Sequence, residues 1–304
     1  MKTSVLINYR IVSLILLSFL FSIKASPQSR IIDFSGFQWI VSDNIPTPSG
    51  TNVFKSDATM QFVDTTGRLH LKLKKVYGVW YGSQLQMKES SGYGEYTFYV
   101  ESDLGNQDNK AVLGLMIKDD KNNNNIIDPS MGEGEMDILF SSWNGISKQR
   151  GWYVVPPMPF ECKWIYNCNK VCPCVKSFNI PVSAFKKTTH KIVWNKLPDK
   201  GLYVYFQSYL GNYKDLPESR YLIGENYYNG SNIPINQNEK ITLNFWLFGD
   251  NVPASLNGAT ELEVIIKSVK FIPGKQKPSR TNNLNQSPKK QKKEDSINSI
   301  GASL

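Results

Sequence analysis

Short stretches in which apolar and polar residues alternate recur along this chain. Leu69, Leu71 and Leu73 alternate with His70, Lys72 and Lys74 directly after Thr66-Gly67. Tyr96, Phe98 and Val100 alternate with Glu95, Thr97 and Tyr99 after Gly92-Tyr93-Gly94. A period of two places the two sets on opposite faces of a β-strand. Residues 111–117 are almost wholly apolar, the pattern of a strand buried on both faces. Segments 202–206, 241–248 and 262–272 add further strands, separated by Gly, Asn and Pro turn signals. No long amphipathic helix and no internal repeat interrupts them. Many short strands with such turns predict an all-β sandwich or barrel.

The two ends depart from this pattern. Lys2 and Arg10 flank the start of an apolar run, 11–23, broken only by serines, before polar sequence returns at Lys24-Ala25-Ser26. Those 13 residues fit a secretory signal and fall short of the ~20 that span a bilayer as a helix. Residues 1–26 are therefore expected to be a signal peptide, with an uncleaved membrane anchor as the alternative. The cleavage point stays open, because Pro27 makes a poor first mature residue. Beyond Pro273 the composition turns to lysine, asparagine, serine and glutamine, so 274–304 is expected to be a disordered basic tail. It would act as a solubilising extension or touch an anionic glycan or membrane surface. The domain between, 27–273, is expected to be secreted, extracellular or at a cell surface.

Charge changes the picture once it is divided this way. Of the formal +9, the signal carries +3 (Lys2, Arg10, Lys24) and the tail +5 (seven basic residues against Glu294 and Asp295), leaving about +1 for the domain. Nucleic-acid binding by the domain loses its main support. The four cysteines, Cys162, Cys168, Cys172 and Cys174, fall within thirteen residues. In an exported chain an even, clustered set points to two disulfides stapling an inserted loop at about 160–176. Three pairings are open. The rival zinc site lacks the paired Cys-x2-Cys knuckles of structural zinc modules.

The candidate chemistry lies on one strand, Glu135-Met136-Asp137-Ile138-Leu139-Phe140. Glu135, Asp137 and Leu139 share a face. Acids in a row on a sheet face are costly unless they line a wet cleft, the alternative being an edge decorated for solubility. Glycosidases use carboxylates so placed, one to attack or activate and one to protonate the leaving oxygen. Glu133, two residues earlier, offers a shifted row of Glu133, Glu135 and Asp137. A calcium loop at Asp120-Lys121-Asn122-Asn123-Asn124 lacks its sixth-position Gly and its twelfth-position Glu, which is Met131. His70 and His190 form no Ser-His-Asp order, and no phosphate-cradling glycine loop is present. No metal and no cofactor is expected.

Gly134-Glu135-Met136-Asp137-Ile138-Leu139-Phe140 resembles the active-site strand of glycoside hydrolase family 16, whose motif is Glu-x-Asp-x-Glu or a bulged form with one extra residue. Tyr93-Gly94-Glu95-Tyr96, Val112-Leu113-Gly114-Leu115, Thr189-His190-Lys191-Ile192-Val193-Trp194 and Asn244-Phe245-Trp246 match other strands of that family in order. The resemblance to these laminarinase- and lichenase-like proteins covers roughly residues 31–273. It implies a concanavalin A-like β-jelly-roll sandwich of two antiparallel sheets and a polysaccharide or oligosaccharide ligand, of β-glucan type. It places Glu135 at the nucleophile and Asp137 at the auxiliary acid. Gln84, Trp143, Asn244 and Trp246 become candidate substrate-binding residues, with Gln84 where many members place a cleft-lining Glu. The acid/base position falls on Leu139, or on Phe140 in the bulged form, and neither donates a proton. The resemblance thus implies glycan binding with weak or lost hydrolysis. The alternatives are an active O-glycosyl hydrolase or transglycosylase with a displaced acid, and an adhesive or structural surface protein.

Overall fold

A computed structural model describes residues 29–274, apart from 50–51, 120, 122–132, 160–161, 163–164, 169–171, 182–185, 199–200, 214–216, 236–237, 250–251 and 255–258. The expected signal peptide, basic tail and most of the calcium-like loop lie outside the described residues. Among the described residues no helix is long and apolar enough to cross a membrane.

Two eight-stranded antiparallel sheets form the molecule. The first follows the order β1 (Ile31–Phe34), β2 (Phe37–Val41), β8 (Ser83–Met87), β17 (Lys240–Leu247), β10 (Ala111–Asp119), β11 (Gly134–Phe140), β12 (Gly151–Val154) and β13 (Val175–Phe178). The second runs β16 (Leu222–Tyr228), β15 (Gly201–Leu210), β14 (Thr188–Leu197), β9 (Gly94–Val100), β18 (Glu261–Pro273), β6 (Leu69–Val76) and β5 (Gln61–Val63), with β7 (Val79–Tyr81) paired to β6. A two-stranded ribbon joins β3 (Ile45–Pro46) to β4 (Val53–Phe54). The expected all-β sandwich of two antiparallel sheets is what the chain adopts.

The alternating residues explain the layers. Leu113, Leu115 and Ile117 of β10 and Met136, Ile138 and Phe140 of β11 are buried, as are Tyr96, Phe98, Ile192, Trp194 and Phe206 of the opposite sheet. Across the core, the Tyr153 ring of β12 stacks on Phe206 with centroids 5.1 Å apart. Each such side chain contributes about 1.5–3 kcal/mol by leaving water. β10 is buried along its whole length, through its apolar run 111–117 and on into Lys118 and Asp119.

The strands without clear alternation are those whose sequences mix polar residues into buried faces. β8 is Ser-Gln-Leu-Gln-Met, yet Ser83, Gln84, Leu85 and Met87 are all buried. Ser83 faces inward with Leu85 and Met87, its Oγ donating to the Lys72 carbonyl of the opposite sheet, whereas Gln84 and Gln86 lie on the outward face of the first sheet, where the candidate site is built.

Candidate functional site

The register of five neighbouring strands assembles the site. β11 pairs with β10 without a slip, from Leu113 opposite Phe140 to Asp119 opposite Gly134. Since Phe140 is buried in the core with its ring 4.6 Å from that of His190, Leu139, Asp137 and Glu135 face the other way. The strand therefore has no bulge at its end, and Leu139, not Phe140, faces outward. Opposite these three stand Gly114, Met116 and Lys118 of β10. β17 adds Asn244 opposite Gly114 and Trp246 opposite Val112. β12 adds Trp152 and Val154 opposite Leu139 and Asp137.

A cavity of about 300 Å³ lies over this floor. Its base is Glu135, Asp137, Leu139, Met116, Lys118 and Asn244, and its walls include Trp143, Trp246, Phe248, Pro156 and Tyr166. Of the six candidates Glu135, Asp137, Gln84, Trp143, Asn244 and Trp246, the cavity brings together all but Gln84. Gln84 lies on the same sheet face beside Asn244 but does not line the cavity. Its Nε2 donates to Ser42 Oγ at 2.9 Å. Glu133 precedes the strand, does not line the cavity, and accepts the Lys121 backbone N–H at 2.9 Å. The shifted row of acids is not assembled.

The acids are electrostatically unequal. Burial pushes the Asp137 carboxyl well above the usual carboxylate range, and the negative charge of hydrogen-bonded Glu135 pushes it further, with Lys118 opposing. Burial and the neighbouring Glu135 charge therefore both favour the protonated form of Asp137. Lys118 continues the apolar run one residue past its expected end, and only the pairing of β10 with β11 sets it opposite Glu135.

Several buried polar atoms here find no partner among the described residues: Asp137 Oδ1, Asn244 Oδ1, Trp143 Nε1 and, nearby, Gln84 Oε1. An unpaired buried polar group costs about 1–3 kcal/mol, so such a cluster favours a ligand or water that completes it. The Asn244 amide lies over Gly114, where a Cβ would sit 2.4 Å from Oδ1. Only glycine leaves that space. Trp143 adopts φ 53° and Asn144 φ 63°, a left-handed turn that bulky residues rarely enter. That turn sets the Trp143 indole against Trp152 and Phe248, with centroids 6.2 and 5.4 Å away. The strain falls at the rim of the cavity. Chemically, the site offers acceptors and an indole donor for hydroxyl groups, and aromatic and aliphatic walls for C–H faces.

The cysteine-rich loop supplies one wall. Cys162 pairs with Cys168, with Cα atoms 4.9 Å apart, and Cys172 with Cys174, 5.2 Å apart. The sulfurs of Cys168, Cys172 and Cys174 lie within 4.8 Å of one another, through the packing of the two bridges. A four-residue helix, α1 (Ile165–Cys168), ends in the first bridge and places Ile165 and Tyr166 on the cavity. Nothing in the sequence pattern signalled these residues, because the loop has no periodicity and its docking is a tertiary matter. Trp80 is buried and does not line the cavity.

No protein-family model and no curated protein matches the chain. Solved structures do. A β-glucanase of Bacillus licheniformis is 16% identical, with 81% of this chain and 98% of that chain covered at a TM-score of 0.51. A native glycosidic hydrolase is 18% identical, covering 81% and 96% at a TM-score of 0.51. An immunostimulatory antigen and pseudo β-1,3-glucanase of Mycobacterium tuberculosis is 16% identical, covering 78% and 91% at a TM-score of 0.50. At such identities the likeness shows the fold, a β-glucanase-like jelly roll.

Proposed function

We propose that this is a secreted, glucanase-like carbohydrate-binding protein that holds a β-glucan-type polysaccharide or oligosaccharide over the first sheet and hydrolyses it weakly or not at all. The observation that carries this reading is the outward row Glu135, Asp137, Leu139, whose third position is a hydrocarbon. A retaining hydrolase needs a second carboxyl about 5–5.5 Å from the nucleophile, on the leaving-group side. Among the described residues, the cavity holds no carboxyl besides Glu135 and Asp137. General acid catalysis supplies about 10²–10⁴ in rate, and a sugar alkoxide leaves poorly without it. Lys118, opposite Glu135 on β10, adds a positive charge to the same floor. Binding needs none of this. Trp246 and Trp143 supply apolar faces, while Asn244 and Asp137 present unpaired acceptors to hydroxyls.

One observation favours the active-enzyme alternative: Asp137 retains a proton above the usual carboxylate range, as a displaced acid would. A single comparison separates the two. The wild-type protein is expected to bind β-1,3- or mixed-linkage gluco-oligosaccharides by calorimetry without releasing reducing sugar, and Leu139→Glu to gain release. Wild-type turnover that vanishes in Glu135→Gln would establish the enzyme instead. Absence of binding across a broad glycan panel would leave an adhesive or structural role. Export is supported by the apolar N-terminal run and the paired cysteines, and the basic tail would serve as a solubilising extension or touch an anionic surface.

A further inference from the structure

The outer face of the second sheet carries a separate group of aromatic side chains. On β15, Tyr203 and Tyr205 project outward, because the alternating Val204 and Phe206 are buried in the core. On β16, Tyr227 stands opposite Tyr205. The Tyr227 ring lies 5.6 Å from Tyr203 at 23° between planes, and 6.5 Å from Tyr205. Tyr227 is 50% exposed, on the terminal strand of its sheet. Polar groups sit between and beside these rings. Tyr205 donates its hydroxyl to the Glu225 carboxylate, and Gln207 Nε2 donates to Tyr205 Oη at 3.0 Å. From Tyr203 to Gln207 the row runs about 14 Å at the antiparallel strand rise.

The charges bordering this face are matched. Arg220 pairs with Glu218 at 2.8 Å, and Lys191 of β14 pairs with Glu95 of β9 at 2.7 Å. Among the described residues these pairs leave no field of one sign here to attract a nucleic acid or another polyanion. Rings interleaved with amide, carboxylate and phenol groups suit an uncharged ligand with flat C–H faces and many hydroxyls. We propose that this face is a second carbohydrate-binding surface, on which a neutral polysaccharide strand lies along β15 and β16. Tyr203, Tyr205 and Tyr227 form its platform, and Gln207 and Glu225 bond its hydroxyls. The surface lies on the opposite sheet from the cavity and does not depend on the cavity's chemistry.

The test is electrophoresis of the full chain through gels containing β-1,3-glucan, mixed-linkage β-glucan, xylan or mannan. The wild type is expected to be retarded by at least one of them. Tyr203→Ala/Tyr227→Ala should bind that polysaccharide about tenfold more weakly, the loss of roughly one stacking platform. Tyr203→Phe/Tyr227→Phe, which keeps the rings, should retain most of the retardation. Tyr227→Ser alone, at a half-exposed ring, gives a smaller loss should the double variant not fold. Trp246→Ala, in the cavity, should leave this component in place, so failure of the cavity reading shows separately as unaltered oligosaccharide affinity in that variant. Equal retardation of wild type and Tyr203→Ala/Tyr227→Ala, or none of the wild type on any polysaccharide, overturns the proposal. So does a wild-type dimer that becomes monomeric in Tyr203→Ala/Tyr227→Ala, which would assign the face to a second copy.

Discussion

Asp137 and His190 are both buried and titratable, on strands of opposite sheets, yet the protein treats them differently. His190 is wholly buried, and each ring nitrogen has a hydroxyl partner at 2.8 Å, Ser208 Oγ for Nδ1 and Thr188 Oγ1 for Nε2. Asp137 is almost as buried, but its Oδ1 has no partner among the described residues. Burial favours the neutral form of each, pushing His190 down to about 3 and Asp137 upward. The difference lies in completeness. A buried polar group whose partners come from the fold is architecture, whereas one left incomplete beside a cavity awaits something from outside.

The largest expected effect tests the completed group. His190→Ala leaves a cavity and two stranded hydroxyls, and should cost about 3–5 kcal/mol in denaturant unfolding. It should leave ligand affinity of the folded protein unchanged. It should also remove the loss of stability on acidification between the ordinary histidine range and about 3, where the unfolded imidazole takes a proton before the native one. A cost below about 1 kcal/mol would end the contrast, since surface substitutions often cost that little.

Gly114→Ala tests the incomplete side. Its methyl would displace the Asn244 amide, costing about 1–3 kcal/mol by overpacking. It should weaken ligand binding by about tenfold, read by calorimetry. Stability loss with unchanged affinity would remove Asn244 from the site.

The subtlest effect is the pH slope of Asp137. Its native carboxyl keeps a proton that the unfolded one loses near pH ~3.9. Stability should therefore fall as pH rises from there until the native carboxyl ionises, by up to about 1.4 kcal/mol per pH unit. Asp137→Asn should flatten that decline. Parallel melting-temperature profiles for the variant and wild type would show that Asp137 is not held protonated.

Much of this was legible along the chain, because period two is a local property. Alternation in 69–74 and 95–100 and the apolar run after Lys110 identify strands, and the spacing of Glu135, Asp137 and Leu139 puts them on one face. The family resemblance added Asn244 and Trp246, which the structure places on the same cavity. It left open whether Leu139 or Phe140 ends the row, because a one-residue bulge leaves no mark in local pattern. The unbroken pairing of β11 with β10 decides for Leu139.

The amino-acid sequence by itself determined the all-β architecture and the row of Glu135, Asp137 and Leu139 along one strand, since both follow from residue type and short-range spacing. Only the tertiary structure decided that Lys118 faces Glu135, that Gln84 stands beside the cavity rather than in it, and that Ile165 and Tyr166 wall it. It also paired Cys162 with Cys168 and Cys172 with Cys174. Each of these depends on register or docking between segments distant in the chain. Such pairings are chosen by the burial of whole sheets, so no single segment encodes them.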